Sequence, residues 1–460
     1  MGAAKIEQHT IDPIPVTERH GRARDLFTLW FGSNIMMLSI LTGALATMLF
    51  KLPLLGALLA IATGNLVGGV FMALHGAQGP QLGLPQMVQC RGQFGSRGAI
   101  FVVAVVVIMN LGFFASNLVL GSQSLRTIAP ATNDDLNIGL IALLSLAAAV
   151  YGYDGIHAFG RWMSWVGGFA LLASFAWIMG VSRLPPDLWQ RGTTSIAGFF
   201  GMTAAGALWQ IAYAPYVSDY SRYMRVDSGV RPTFWASYGG STLGSILPMA
   251  LGALVGITVA EANVVTALAG RLGPVGIPVV AILSLGLGAA SAMNIYCGVL
   301  SAITIGQTFV PVWRPRGQSR LILSVIFVAI ALAIALLGAR NFLSNYENFL
   351  TLLLCVMAPW TDINLVDFYL VRHGAYDVDS FFKANGGLYG RYNFVALSCY
   401  GFGILIQVPF LVTNLYTGPV AKMLGGVDIS WLLGLFLVGP LYLLMARVAG
   451  KSDMESSNVT

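Results

Sequence analysis

Three sets of side chains combine polar and aromatic groups at spacings that place them on common helix faces. Phe113 and Asn117 are four residues apart, as are Trp209 and Tyr213, and Asn294 stands in a third apolar stretch. Residues four apart share one face of an α-helix. A carboxamide offers hydrogen-bond donors and an acceptor. An aromatic face that stacks on a flat ring contributes about 1–3 kcal/mol to its binding. Because the surrounding stretches carry no charge, the pattern predicts a pocket for a neutral planar heterocycle.

The same side chains have a second explanation, in which they only hold helices together. Asn residues form hydrogen bonds between membrane helices, and aromatic rings fill the space between them. Backbone signals favour the pocket: Gly32, Ser33 and Asn34 interrupt one apolar stretch, and Pro215 interrupts another. Interrupted spans at corresponding places in two halves of a chain are typical of a central binding site. Both explanations remain open at this point.

The composition excludes a soluble protein. Of the 460 residues, 10% are charged and 56% are hydrophobic, whereas ordinary globular chains carry about 25% charged residues. The long uncharged stretches exclude a cytosolic enzyme, a nucleic-acid-binding protein and a disordered regulator. The chain is therefore predicted to be an all-α membrane protein that crosses the bilayer repeatedly.

Twelve apolar stretches are candidate membrane spans, because about 20 residues cross the hydrocarbon as a helix. They cover residues 26–50, 53–74, 99–120, 136–153, 162–181, 196–217, 234–259, 275–309, 321–337, 349–359, 394–415 and 429–446. Most of the 25 Lys and Arg residues then fall on the side that holds both termini. Since cytoplasmic loops carry the excess of positive charge, we expect a protein of the cytoplasmic membrane with both termini in the cytoplasm.

The sequence contains no pattern for a metal, a cofactor or ATP hydrolysis. The four Cys residues form no Cys-x-x-Cys pair, the five His residues lie in tails or connections, and no Gly-x-x-x-x-Gly-Lys loop occurs. Such sites require paired ligands or a phosphate-binding loop. We therefore expect a transporter driven by an ion gradient, with no metal site and no cofactor, and not an enzyme.

Several motifs resemble those of the nucleobase–cation symporter-1 family, whose members include permeases for cytosine and purines, uracil, thiamine and allantoin and a hydantoin transporter. The motifs are Gly83-Leu84-Pro85-Gln86-Met87-Val88 with Arg91 and Phe94-Gly95, then Ser218-Asp219-Tyr220-Ser221-Arg222-Tyr223, and Asn294-Ile295-Tyr296. Leu111-Gly112-Phe113 with Asn117 and Gly121-Ser122-Gln123 looks like the third span of the purine–cytosine branch. The resemblance covers nearly the whole chain.

The resemblance implies a leucine-transporter-type fold, in which 12 transmembrane helices include two inverted repeats of five. On this chain it implies an N-terminal tail at 1–25 and repeats at 26–181 and 195–371. Two peripheral helices then occupy 392–447, and a second tail occupies 448–460.

The resemblance also assigns substrate-binding positions, taken over one residue at a time. They are Ser39, Phe113, Asn117, Tyr213 and Asn294, and Trp209 joins them because it shares a helix face with Tyr213. Phe113 and Tyr213 stand where the family has tryptophan, so the stacking faces are smaller. The expected substrate is a neutral nucleobase of the cytosine or purine type. The alternative is a symporter of the same fold for another small solute, such as allantoin or a hydantoin, thiamine or an amino acid.

The expected coupling ion is a proton or sodium. By resemblance, sodium-coupled members carry hydroxyl groups at two eighth-span positions, which are Gly288 and Ala289 here. Ser291 is the nearest hydroxyl group and Asp219 the nearest carboxyl group, so both are coupling or gating candidates. Asp219 has a competing role in capping its helix or pairing with Arg222. The expected partners are the base and the lipid bilayer, without nucleic acid or an obligatory protein partner.

Overall fold

The computed structural model describes residues 11–149, 152–182, 184–258, 263–310, 312–313, 315 and 317–457, without the side chains of residues 148, 152–157, 228 and 450–457. Within these ranges the chain is almost entirely helical: isolated bridges occur, but no β-strand. The all-α prediction is confirmed. Residues 1–10 and 458–460 of the two predicted tails lie outside the described residues.

The α-helices, numbered in chain order, are α1 (Ala23–Asn34), α2 (Met37–Met48), α3 (Leu54–Gly76), α4 (Gly79–Leu82), α5 (Gln86–Phe94), α6 (Ala99–Ile128), α7 (Asp134–Ala149), α8 (Gly152–Gly180), α9 (Ile196–Ile211), α10 (Ala214–Ser221), α11 (Val230–Thr258), α12 (Val264–Leu272), α13 (Gly276–Phe309), α14 (Gly317–Gly338), α15 (Phe342–Val366), α16 (Phe394–Gln407), α17 (Pro419–Met423), α18 (Ser430–Phe436) and α19 (Val438–Ser457). A π-helical turn, Asp367–Val371, continues α15.

Each predicted span coincides with helix in the described part of the chain. Eight helical stretches are long and apolar enough to cross a membrane, and one of them, Gly317–Val371, contains both α14 and α15. α1 and α2 together form a further span that is bent by 60°. The fourth and eleventh predicted spans fall on the shorter helices α7 and α16.

The spans pack as two groups of four. The first group contains α1 with α2, α3, α9 with α10, and α11; the second contains α6, α7, α13 and α14. Each group thus combines corresponding spans of the two predicted repeats, since the first holds spans one, two, six and seven. α13 and α6 contact α2 across the boundary between the groups, and α15 contacts both α9 and α6. A space between the groups is where a solute can bind while they move relative to each other.

The first span is interrupted between Asn34 and Met37. Met36 adopts an extended backbone, so the helical hydrogen-bond ladder stops there. The Ser39 hydroxyl donates to the freed Asn34 carbonyl oxygen at 2.6 Å, and the Asn34 amide donates to the Trp30 carbonyl oxygen at 2.7 Å. Because unpaired backbone groups are costly within a membrane, these side chains stabilise the break. The prediction of an interrupted first span is confirmed.

Glycines let α2 and α11 approach to backbone contact. A Cβ added to Gly43 would overlap the backbone of Met249, and one added to Gly252 would overlap the carbonyl group of Ile40. Small residues at such interfaces permit close packing of membrane helices, where van der Waals contact replaces the hydrophobic effect. The first four-span group therefore depends on glycine at these positions.

Replacing Gly252 with alanine should destabilise the folded protein by about 1–3 kcal/mol, because the new methyl group meets backbone that cannot move aside. The matched control is Gly270→Ala in α12, where nothing lies within 4 Å of the added Cβ. Thermal unfolding in detergent should show a lower Tm for Gly252→Ala and an unchanged Tm for the control. Equal Tm values for the two variants would contradict this packing.

Candidate substrate site

A small cavity lies between the two four-span groups. Its lining residues are Ser33, Met36, Leu38, Phe113, Asn117, Trp209, Ala212, Tyr213, Tyr216, Ala290, Met293 and Asn294. They come from the break in the first span, from α6, from the junction of α9 with α10, and from α13. The lining therefore joins helices from both groups around one small space.

Five of the six predicted substrate-binding residues meet in this cavity. Phe113, Asn117, Trp209, Tyr213 and Asn294 are far apart in the sequence, and all five line it. Of the described residues that line the cavity, none carries a charge. A neutral molecule can therefore fill the cavity without removing any charged side chain of the lining from water.

The aromatic side chains form a connected wall. The Phe113 ring meets the Trp209 ring edge-on at 6.2 Å between centroids, and Trp209 meets Tyr213 in the same way at 6.4 Å. Tyr213 in turn contacts Tyr216 at 5.8 Å. Edge-to-face packing is favourable for aromatic pairs. It fixes the ring orientations before any solute enters.

The carboxamide of Asn34 holds two of these rings in place. Its Oδ1 atom accepts hydrogen bonds from Trp209 Nε1 at 2.7 Å, from the Tyr213 hydroxyl at 2.8 Å and from the Ser245 hydroxyl at 2.8 Å. The polar atoms of Trp209 and Tyr213 are therefore used within the protein. What these two residues offer to a solute is mainly their ring surface.

Two other carboxamides, both at the cavity, form no hydrogen bond with a described residue. Neither Nδ2 nor Oδ1 of Asn117 has a hydrogen-bond partner among the described residues, although the side chain is only 1% exposed. Asn294 lines the same cavity, and no described residue is hydrogen-bonded to its side chain. Buried polar groups are normally paired because an unmade bond costs about 1–3 kcal/mol. A solute with donors and acceptors on its edge would satisfy them.

Ser39 and Ser291 lie outside the cavity lining. Ser39 is fully buried and supports the break in the first span through Asn34. Ser291 is also fully buried, and its hydroxyl has no partner among the described residues. Gly288 and Ala289 line a different, apolar cavity between α6, α7, α8 and α13. The α13 residue that meets the break is Gly286, whose added Cβ would lie 2.5 Å from the Ile35 carbonyl oxygen.

Asp219 belongs to a polar contact at the end of the sixth span. Its Oδ1 atom accepts from the backbone N–H of Gln86 at 3.0 Å, and the neighbouring Ser218 hydroxyl donates to Gln86 Oε1 at 2.6 Å. The chain of amides continues from Gln86 to Gln78 at 2.9 Å and from Gln78 to Asn364 at 2.9 Å. This polar chain joins α10 to α15 through the segment between the second and third spans.

The Gly83-to-Gly95 motif builds that segment. Gly83 and Gly95 adopt positive φ angles of 68° and 80° at the ends of α4 and α5, a conformation that glycine adopts without strain. Arg91 on α5 donates to the carbonyl oxygens of Phe381 and Thr304, each at 2.9 Å. Burial lowers the pKa of Arg91 to about 10, so the guanidinium stays charged at neutral pH and clamps α5 to the end of α13.

Sequence reasoning did not assign a site role to Asn34 or to the apolar lining residues Met36, Leu38 and Met293. The signal for Asn34 was available, because an Asn directly after Gly32 and Ser33 marks the point where the span breaks. Its role in orienting Trp209 and Tyr213 depends on the end of α1 meeting the end of α9 and was not readable from spacing.

The chain matches the protein family described as "Permease for cytosine/purines, uracil, thiamine, allantoin" over residues 13–434. The chain belongs to this family of permeases. The resemblance drawn from its motifs is thereby confirmed, and the protein is a multi-pass membrane permease and not an enzyme.

Individual relatives agree with this assignment. The permease is 38% identical to the putative purine-cytosine permease YxlA of Bacillus subtilis over 446 residues, which cover 96% of each chain. It is 23% identical to the purine-cytosine permease fcyB of Emericella nidulans, over 96% of this chain and 88% of that one. Its fold matches the structure of Mhp1, a nucleobase-cation-symport-1 family transporter in a closed conformation with bromovinylhydantoin bound. The TM-score is 0.76 at 19% identity, over 97% of each chain. The predicted leucine-transporter-type fold is confirmed at this level.

Replacing Asn34 with alanine should destabilise the permease by at least about 2 kcal/mol, because three buried donors lose their acceptor. Trp209→Phe removes only one of those donors and should lower the Tm less. Thermal unfolding of both variants in detergent measures the difference. An Asn34→Ala protein that unfolds at the wild-type Tm would contradict the bonding described here.

Proposed function

We propose that this permease imports a neutral nucleobase of the cytosine or purine type across the cytoplasmic membrane, by cation symport with alternating access. The observation that carries the proposal is the uncharged cavity, in which aromatic walls surround the unpaired carboxamide of Asn117 and the carboxamide of Asn294. The names of the relatives support the substrate class, since two of them are purine-cytosine permeases.

A nucleobase offers what this cavity lacks. Its faces are flat and apolar enough to stack on rings, and its edge carries donors and acceptors that match carboxamides. Phe113 stands where the resemblance expects tryptophan, and a second phenyl ring, Phe349, lies edge-on to it at 5.2 Å. The smaller ring offers less stacking surface at the third span, which suits a base that is held mainly by its polar edge.

The two four-span groups supply the moving parts. In the proposed cycle the base is held between them while access alternates from one side to the other. The distribution of Lys and Arg supports an orientation with both termini in the cytoplasm. In that orientation the polar chain from Asp219 to Asn364 lies on the cytoplasmic side and contributes to closing it, so Asp219 is a gating candidate.

Uptake of radiolabelled cytosine should fall when either carboxamide is removed. Asn117→Ala and Asn294→Ala should each lower kcat/KM by roughly fivefold to tenfold, the cost of about one hydrogen bond to a buried group. The matched control is Asn110→Ala, on the same helix as Asn117, whose amide donates to the Val106 carbonyl oxygen within that helix.

Normal uptake by both cavity variants would contradict the assignment of the substrate site to this cavity. Competition by unlabelled adenine, hypoxanthine, uracil, allantoin, a hydantoin, thiamine and amino acids would then identify the substrate class. Strong competition by a hydantoin or an amino acid, without competition by bases, would replace the proposed substrate with the alternative.

We propose that the coupling ion is a proton. A sodium site needs several oxygen ligands, as hard cations do. Gly286, which meets the break in the first span, and Gly288 and Ala289, at the positions expected from the resemblance, bring no hydroxyl group. Ser291 lies in the same helix but does not line the cavity. The lack of hydroxyl groups at these positions favours a proton over sodium. This argument does not depend on the residues of the base-binding cavity.

Replacement of sodium by choline at fixed pH should leave cytosine uptake unchanged, whereas acidifying the outside should increase it. An inside-alkaline gradient of about one pH unit allows about tenfold accumulation when one proton accompanies each base, because one pH unit is a tenfold ratio of protons. Uptake that stops in choline would show sodium coupling instead.

A further inference from the structure

Asp362 is a buried carboxyl group near the inner end of α15, three residues beyond the predicted tenth span and within the helical stretch Gly317–Val371 that is apolar enough to cross a membrane. Its side chain is 8% exposed. Its one hydrogen bond with the described residues comes from the backbone N–H of Gly439, at the start of α19, and no described cation pairs with it. An ionisable group inside a membrane is costly and commonly marks a path for protons or ions. The described residues that line the cavity include no acidic or basic side chain, so Asp362 is a candidate for proton binding.

The neighbouring carboxyl group, Asp367, is in a different situation. It pairs with Arg372, whose Nε lies 3.3 Å from Oδ2, and it accepts hydrogen bonds from Tyr376 and, at 2.7 Å, from Tyr442. A cation and two hydroxyl groups stabilise its negative charge. Asp362 has only the Gly439 amide as a partner. Gain or loss of a proton there therefore changes a charge that no described neighbouring charge compensates.

The contact between Asp362 and Gly439 has a specific geometry. The last predicted span is interrupted between α18, which ends at Phe436, and α19, which begins at Val438. Gly439 therefore lies in the first turn of α19, where backbone N–H groups lack helical partners. A Cβ at Gly439 would overlap the Asp362 carboxylate. The carboxylate caps α19, and a charged acceptor makes this bond stronger than a neutral one does.

No other described titratable side chain on the packed helices forms a hydrogen bond or an ion pair with Asp362. On α15 itself, Cys355 lies two turns away. Described titratable groups on its neighbours include His75 on α3, Cys90 and Arg91 on α5, Arg126 on α6, Cys399 and Tyr400 on α16, Tyr442 and Arg447 on α19, and Asp367 and Arg372 beyond the helix end. His75 bonds to the Phe71 carbonyl oxygen at 2.8 Å, and Tyr442 bonds to Asp367.

α15 connects Asp362 to the cavity. In its outer part the Tyr346 hydroxyl is 2.9 Å from the Thr42 hydroxyl on α2, and Phe349 packs on Phe113. Pro359 stands between this part and Asp362, and proline removes a helical hydrogen bond and permits a change of angle. The carbonyl oxygen that it frees, that of Cys355, accepts from Gln407 on α16 at 2.7 Å.

We propose that Asp362 is the binding site of the coupled proton. This inference rests on the proton symport proposed above. Protonation weakens the hold of Asp362 on the start of α19, which frees the inner part of α15 to move about Pro359. The outer part of the same helix carries this movement to Phe113 and to α2, and thereby to the two groups that enclose the base.

A purely structural role makes a different prediction. If Asp362 only caps α19, asparagine serves as well, because its side-chain oxygen also accepts from the Gly439 N–H. Alanine removes both the cap and the titratable group. Asp362→Asn and Asp362→Ala therefore separate capping from proton binding, and Asp187→Asn, in the exposed pair with Arg191, controls for loss of a carboxyl group elsewhere.

The test uses the full chain in proteoliposomes with radiolabelled cytosine. Two readouts are taken: exchange of labelled for unlabelled cytosine without a gradient, and accumulation driven by an inside-alkaline gradient of one pH unit. We expect Asp362→Asn to exchange at a rate within about twofold of wild type and to lose the roughly tenfold accumulation that such a gradient allows. Asp187→Asn should retain both, and Asp362→Ala should also show a lower Tm.

The outcomes distinguish the two proposals. Accumulation by Asp362→Asn equal to that of wild type would overturn the role of Asp362 and leave proton symport intact. Wild-type exchange without any response to the pH gradient would overturn proton coupling, and the role of Asp362 with it. Absence of cytosine exchange by the wild-type protein would overturn the proposed substrate.

Discussion

The hydrogen bonds to Asn34 Oδ1 determine the shape of the cavity. One oxygen atom at the end of α1 accepts from Trp209 in the sixth span, from Tyr213 at its interruption and from Ser245 in the seventh span. At the break, the Ser39 hydroxyl bonds to the freed Asn34 carbonyl oxygen, and the Asn34 amide is anchored on the Trp30 carbonyl oxygen. Since the same residue closes the break and orients the rings, the backbone interruption and the binding surface form one structure.

The absence of charge in the cavity has a physical counterpart in how the helices pack. In the described part of the first four-span group, the helices meet by close contact at Gly43 and Gly252 and through short polar side chains such as Ser245. In a membrane these replace the hydrophobic effect as the source of helix association. The aromatic wall adds rigidity, because its rings meet edge to face. A rigid, uncharged pocket selects a solute by its shape and by its hydrogen-bonding edge.

A chain of polar side chains joins the ends of the sixth and tenth spans. There, Asp219, Gln86, Gln78 and Asn364 form a continuous chain from α10 to α15, and Arg91 holds α5 to α13. Polar contacts of this kind are able to break and re-form as helices move, whereas the packed apolar interfaces resist gradual deformation. The structure therefore separates a closely packed cavity from a chain of polar contacts at the helix ends.

The sequence by itself determined the class of the protein, the twelve helical stretches and five of the residues that line the cavity. Composition and apolar run length fix these features because the bilayer allows only helices or closed barrels, and four-residue spacing places Phe113 with Asn117, and Trp209 with Tyr213, on common faces. Only the tertiary structure decided that Ser39 supports the break while Met36 and Met293 line the cavity, and that Asp362 meets Gly439. Those outcomes depend on how helices distant in the chain are rotated against each other, and no local pattern of residues specifies that rotation.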